Sequence, residues 1–153
     1  MVTPPIRAAV TDADVQRCWP VLRQLRPHLA ADALLPAVRR MEPHGYRLAF
    51  AEDEQGVVRA VVGYRITEML RTGTMLEIDD LVTDAEARSG GYGRALFEWV
   101  LAEARRAGCS VVELDSAVQR HAAHRFYFRQ GMHILGYHLS IACGPGVDPP
   151  NAS

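Results

Sequence analysis

At 153 residues, 48% hydrophobic and 23% charged, the chain has the size and composition of one ordinary globular domain, which excludes a disordered polymer. Its formal net charge of −1 argues against nucleic acid as the main partner, and all 17 basic residues are arginine. Apolar runs such as Val57 to Gly63 are broken by Arg or Glu well before a bilayer could be crossed, so no membrane span is expected. The opening Met1-Val2-Thr3-Pro4-Pro5 lacks a basic patch followed by an apolar run, so the expected location is cytoplasmic. Cys18, Cys109 and Cys143 lie far apart with no CxxC pair, which predicts neither a disulfide framework nor a zinc site.

In chain order, Ile6 to Val10 reads as a short strand, and Thr11-Asp12-Ala13-Asp14 supplies helix-capping chemistry. Val15, Cys18, Trp19, Leu22 and Leu25 then recur at helical spacing up to Pro27, interrupted early by Pro20. A second amphipathic helix is read over Ala33 to Met41. Tyr46 to Glu52 and Val57 to Leu70 are β-prone and joined by Asp53-Glu54-Gln55-Gly56, a hairpin signal. Thr74 to Thr83 adds a third strand to this meander.

The pattern then changes to helix, strand, helix, strand. A helix from near Gly91 to Ala107 carries Leu96, Phe97, Val100, Leu101 and Ala104 as its apolar stripe. Ser110 to Leu114 reads as a strand, Gln119 to Gln130 as a helix and Met132 to Ala142 as the last strand. The fold class expected is α+β, in the order β-α-α-β-β-β-α-β-α-β, as one domain over residues 1–143. Residues 144–153 read as a Pro/Gly-rich tail. Met69, Met75, Trp19 and Tyr64 are expected to be core residues.

The chemistry concentrates in one segment. After the strand residues Leu81, Val82 and Thr83, the loop Arg88-Ser89-Gly90-Gly91-Tyr92-Gly93-Arg94 opens directly into a helix. Glycines let several backbone N–H groups converge, and the helix N-terminus adds partial positive charge, a combination suited to a pyrophosphate. The GxGxxG fingerprint fails because position 96 is Leu, and the Gly-Lys-[Ser/Thr] of a nucleoside-triphosphate loop is missing. What fits is [Arg/Gln]-x-x-Gly-x-[Gly/Ala], over Arg88 to Gly93. Downstream, Ala123-His124-Arg125-Phe126-Tyr127-Phe128-Arg129-Gln130-Gly131-Met132 follows the pattern Ala-x-x-Phe-Tyr-x-[Lys/Arg]-x-Gly-Phe. Two motifs in this order, separated by a helix and a strand, resemble the GNAT superfamily of N-acetyltransferases.

That resemblance implies a GNAT fold, a mixed, mostly antiparallel sheet with helices on both faces. It also implies acetyl-CoA as co-substrate. Leu81, Val82 and Thr83 would pair with the pantetheine arm, with the Val82 N–H toward the thioester oxygen. Ser89 to Arg94 would hold the pyrophosphate, with Arg88 opening the motif. Tyr127 matches the family's general acid. One departure stands out: the Asn often found three residues before the motif Ala is Arg120 here.

An alkyl amine of pKa about 10 must lose a proton before it can attack. Glu77, Asp79 and Asp80 share one strand, and regular alternation puts Glu77 and Asp79 on one face and Asp80 on the other. Glu77 is the first choice of base, at a spacing from Arg88 resembling that of the catalytic Glu in histone-acetylating relatives. Asp80 is the second choice and Asp115 the third. His121 and His124 lie one helical turn apart without a third ligand in evidence, so no metal is expected. The reading is a small-molecule N-acetyltransferase, with a homodimer allowed for. The alternatives are a non-catalytic acyl-CoA-binding module of the same fold and a protein N-acetyltransferase.

Overall fold

In the computed structural model, which describes residues 3–146, the chain enters through strand β1 (Ile6–Ala8) and turns at Thr11. The Thr11 hydroxyl accepts from the Asp14 N–H while the Asp14 carboxylate accepts from the Thr11 N–H, a reciprocal cap that starts helix α1 (Asp12–Arg17). The single helix expected here is two. Pro20 has no N–H to continue the ladder, so α1 stops at Arg17 and α2 (Trp19–Leu25) begins anew with the proline in its first turn. Helix α3 (Ala31–Met41) follows, and Gly45, at φ 93°, turns the chain into the sheet.

Strands β2 (Tyr46–Glu52), β3 (Val58–Met69) and β4 (Gly73–Thr83) form the antiparallel meander, with β1 beside β2. Helix α4 (Tyr92–Arg106) returns the chain to β5 (Val111–Leu114), which pairs with β4 in parallel. The sheet order is β1-β2-β3-β4-β5. Helices cover both of its faces. On one, Val15, Cys18, Val21 and Leu22 of the first two helices and Leu34 and Val38 of α3 pack on Tyr46, Leu48, Phe50 and Val61. On the other, α4 buries Leu96, Phe97, Val100 and Ala104, and its Trp99 meets Tyr64 of β3 edge-on at 6.1 Å. Trp19 packs partly buried against the first core, and Met75 and Tyr64 are buried, but Met69 is not a core residue. It ends β3 at the hairpin, where it is 44% exposed.

The residues up to Leu114 form one compact unit, and those from Asp115 form a second. The second holds helix α5 (His121–Arg129), which places Tyr127 in a buried position. The strand expected over Met132 to Ala142 is not formed. Among the described residues, 133–142 make no backbone–backbone hydrogen bond, and a strand needs a ladder partner as well as a pattern. Of the tail read at 144–153, residues 147–153 lie outside the described residues. No described helix is long and apolar enough to cross a membrane.

Candidate active site

Strand β4 runs beside β3 from Gly73 to Thr83, but β5 accompanies it only from Met75 to Ile78. Beyond Ile78 its second edge has no strand partner among the described residues. The change coincides with a bulge. Gly63 pairs with Asp80 and Tyr64 with Ile78, which leaves Asp79 as an extra residue in β4 and resets the alternation of side chains.

That reset corrects the expected placement of the carboxylates. Glu77 stands opposite Arg65, and Arg65 stands opposite Tyr46, on the face covered by the first three helices. In a regular strand Asp80 would point the other way. Instead its Oδ2 accepts from the Tyr46 hydroxyl at 2.9 Å, and its Oδ1 accepts from Nε of Arg26, the residue that ends α2, also at 2.9 Å. Arg65 donates to Asp79 at 2.7 Å and lays its guanidinium over the Tyr46 ring, 5.4 Å from the centroid. The three carboxylates therefore gather on one side of the sheet. Burial, reinforced by the Asp80 charge, raises the Tyr46 phenol far above its ordinary range, so Tyr46 acts as a hydrogen-bond donor.

Gly63 makes this arrangement sterically allowed. A Cβ there would overlap the Tyr46 hydroxyl and lie 2.8 Å from Asp80 Oδ2. Glu77 is half-buried, with Arg65 on one neighbouring strand and Glu113 on the other, and Glu113 is itself held by Arg71 at 2.8 and 2.9 Å.

The free edge of β4 leads to the glycine loop. The Asp84 N–H donates to the Arg59 carbonyl at 2.8 Å, toward β3. Backbone groups alternate along an antiparallel ladder, so the Val82 N–H, two residues back, also points at β3. It is thus not the amide available to a thioester oxygen, as the resemblance had implied. Leu81 and Thr83 turn their amides to the open edge instead. The buried Asp84 carboxylate then fixes the turn. It accepts from Arg59 at 2.8 Å, Gln24 at 3.1 Å and the Glu86 N–H at 3.2 Å. Burial works against its ionisation, but these donors outweigh it and lower its pKa. Gln24 also accepts from the Ala85 N–H at 2.9 Å, which ties α2 to the loop.

Arg88, Ser89, Gly90 and Gly91 are exposed, with Ser89 at φ 67° and Gly91 at φ 82°. Gly91 is the N-cap of α4 and provides no side-chain cap, so the first-turn N–H groups are left to a ligand or solvent. Tyr92 begins the helix. Gly93 has a packing duty as well: a Cβ there would come within 2.7 Å of Thr83 Oγ1, so its small size lets the first turn of α4 press against the end of β4. Arg94 is exposed and paired with Glu98 at 2.9 Å, along its own helix.

In the second unit, Tyr127 is 8% exposed, and burial raises its phenol against the opposing pull of Arg120. Its ring meets Phe126 edge-on at 5.5 Å. Asp115, the third choice of base, lies 3.0 Å from His138 Nδ1, both exposed. The His121 and His124 rings are 6.2 Å apart, and no group of three or more potential metal ligands occurs among the described residues. Cys109 is a free thiol whose pKa is raised by burial, the opposite of what a nucleophile needs.

Residue-by-residue reading of the sequence missed Tyr46, Arg26 and Arg65 as partners of the carboxylates, and Gln24 and Arg59 as anchors of the loop. The available signal was Gly63, an isolated glycine inside a β-prone run, which marks a bulge or a close approach.

Residues 12–132 match the model of the acetyltransferase (GNAT) family. The chain is 36% identical to the uncharacterized N-acetyltransferase YhdJ of Bacillus subtilis over 109 residues, 71% of this chain and 77% of that protein. It is 34% identical to the aminoalkylphosphonate N-acetyltransferase of Salmonella typhimurium over 106 residues, 69% of this chain and 64% of that relative, just under two thirds of its length. Its fold resembles that of AAC(6')-Iy in complex with the bisubstrate analog CoA-S-monomethyl-acetylneamine. The TM-score is 0.79 at 14% identity, covering 92% of this chain and 97% of that one. The loop, the uncapped helix and the bulged strand are thus set in a sequence that matches one family over most of its length, and the chain belongs to the GNAT family as an acyl-CoA-dependent N-acetyltransferase.

Proposed function

We propose that the chain transfers an acetyl group from acetyl-CoA to the amine of a small molecule, by direct attack of the amine on the thioester. The observation that carries this reading is the free edge of β4, which offers the Leu81 and Thr83 amides and runs into the uncapped start of α4. An extended pantetheine arm needs such an edge, and a pyrophosphate needs the converging N–H groups of Ser89 to Arg94. Exposure of Arg88 to Gly91 leaves the approach open. When bound, acetyl-CoA supplies the activated acyl group.

Glu77 takes the amine proton, directly or through one water. Asp80 accepts from Tyr46 on one oxygen and from Arg26 on the other. It positions Tyr46 and Arg26 and, with Asp79 and Glu77, draws a cationic amine to this face. Once the base has removed the proton, the nitrogen forms its bond to the carbonyl carbon and the carbon–sulfur bond breaks. Tyr127 gives its proton to the departing sulfur, and the second proton that the nitrogen sheds on becoming an amide returns to the Tyr127 phenolate through solvent. The phenol is protonated at neutral pH, the form a general acid requires, and burial pushes its pKa further up. In this reading residues 1–143 act as one catalytic domain, and the family match, which spans both compact units, supports that. The expected setting is the cytoplasm.

The aminoalkylphosphonate relative supports a small-molecule acceptor. Incubation with acetyl-CoA and a panel of small amines, aminoalkylphosphonates included, is expected to release free CoA thiol only with an acceptor present. Thiol release with peptide amines alone would overturn the small-molecule assignment.

A further inference from the structure

Two adjoining hollows open beside the β2–β3 ladder and share Arg47 and Tyr64. One, of about 410 Å³, is a groove between the last turns of α4 and the strands, and the other, of about 550 Å³, continues it toward Arg39 and Glu42. Every lining residue belongs to the first compact unit, so that unit forms both hollows by itself.

The three arginines here differ in what neutralises them. Arg39 pairs with Asp12 and Glu42, and Arg106 pairs with Glu103. Arg47 is exposed and has no carboxylate partner among the described residues. It gives both of its hydrogen bonds from Nη1, to the carbonyls of Glu42 at 3.0 Å and Tyr46 at 2.7 Å. Its Nε and Nη2 remain, and together they form the side of the guanidinium that takes a carboxylate through two parallel bonds.

Tyr64 stands opposite Arg47 in the ladder, on the same face. It is 6% exposed, yet its hydroxyl has no hydrogen-bond partner among the described residues. The hydroxyl is not sealed in the core either, since among the described residues only Ser116 Oγ is both sealed and unpartnered. It therefore opens to the groove as a donor awaiting an acceptor. The phenol is protonated at neutral pH, and burial pushes its pKa further up, helped by Glu103 and opposed by Arg47 and Arg106. Trp99 meets the Tyr64 ring edge-on at 6.1 Å, and Ile66 completes an apolar wall.

We infer that this groove binds a small aromatic carboxylate, with the carboxylate on Arg47 and the Tyr64 hydroxyl and the ring against Trp99 and Ile66. A planar carboxylate matches the two-donor edge, and its single charge matches the one arginine here that lacks a counter-charge. The apolar wall favours an aromatic body over an inorganic anion. The site is separate from the cofactor loop, because Glu103 stands about three turns along α4 from Tyr92, roughly 17 Å at about 1.5 Å per residue. It also lies on the other face of the sheet from Glu77, Asp79 and Asp80. No step of acyl transfer enters this inference, so it stands or falls separately from the proposed activity.

The test is a titration of the full chain with benzoate, followed by calorimetry and by the indole N–H signals of Trp19 and Trp99. Benzoate is expected to bind saturably at one site and to shift the Trp99 signal. The Trp19 indole donates to the Leu29 carbonyl on the other face of the sheet, and its signal is expected to stay in place. Saturating acetyl-CoA is expected to leave benzoate affinity unchanged. Benzamide has the shape without the charge and inorganic phosphate the charge without the ring, and each is expected to bind at least about tenfold more weakly. Arg47→Gln is expected to weaken benzoate about tenfold and Tyr64→Phe about fivefold, with acetyl-CoA affinity unchanged. The inference is overturned by the lack of a saturable Trp99 shift, by competition with acetyl-CoA, by benzamide or phosphate binding as tightly as benzoate, or by wild-type benzoate affinity in either variant. If Arg47→Gln fails to fold, Tyr64→Phe, which keeps the ring and its packing, still decides.

Discussion

The two halves of β4 share a strand and differ in everything that matters for chemistry. From Met75 to Ile78 the strand lies between β3 and β5, with both edges paired, and Met75, Leu76 and Ile78 are buried. From Asp80 to Thr83, past the bulge at Asp79, it keeps β3 but has no strand on its other edge among the described residues. The first half is sheet interior and the second is an open edge, the one proposed to take the acyl donor. One inserted residue therefore does two things: it brings Asp80 to the same side as Glu77, and it coincides with the point where a ligand can take the place of a neighbouring strand.

The largest effects are expected where chemistry depends on that division. Glu77→Gln keeps the size of the side chain and removes its ability to take a proton. Turnover is expected to fall on the order of 10²-fold, and the acidic limb of the pH–rate profile to disappear. Asp80→Asn is expected to retain that limb, since Asp80 is occupied by Tyr46 and Arg26. If Asp80→Asn abolishes the limb and Glu77→Gln does not, the two roles are reversed. Tyr127→Phe keeps the ring and its packing. It is expected to lose on the order of 10²-fold in turnover with little change in acetyl-CoA affinity. Wild-type turnover in that variant would make Tyr127 a packing residue.

A smaller effect, on stability, tests what permits the bulge. Gly63→Ala puts a methyl group where the Tyr46 hydroxyl lies, and the resulting overpacking is expected to cost about 1–3 kcal/mol in denaturant unfolding. Acetylation should suffer with it, because Tyr46 and Asp80 cannot both stay in place. Unchanged stability would mean that the two halves are not held apart by this contact.

The smallest effect is expected at Asp84. Its folded pKa lies below the ordinary carboxylate value, so it contributes stability that is present above about pH 4 and lost as the pH falls through the folded value. Thermal unfolding of Asp84→Asn is expected to show a lower Tm at pH 7 and a shallower decline into acid than wild type. Parallel acid profiles would remove Asp84 from the account.

The same comparison explains what could be read in the residues beforehand. The loop and Tyr127 motifs, the α4 stripe and the separate strands of the meander are local patterns, each visible in a short stretch of sequence. The bulge is not local, because it depends on Gly63 facing Asp80 across a ladder, and Glu77-Ile78-Asp79-Asp80 alternates normally when read alone. The direction of the Val82 amide is hidden for the same reason, since the edge an amide faces is fixed by the partner strand. Pro20 could have divided the first helix on paper. The last strand differs: residues 132–142 carry the right pattern, but 133–142 form no ladder among the described residues.

The central claim is that the acyl donor pairs with the open edge of β4, and residue-resolved amide exchange with and without acetyl-CoA tests it most directly. The Val82 amide is expected to be protected in the free protein already, because it faces β3. The Leu81 and Thr83 amides are expected to exchange readily and to become protected when acetyl-CoA is added. Unchanged exchange at Leu81 and Thr83 under saturating acetyl-CoA, or new protection confined to Val82, would contradict it.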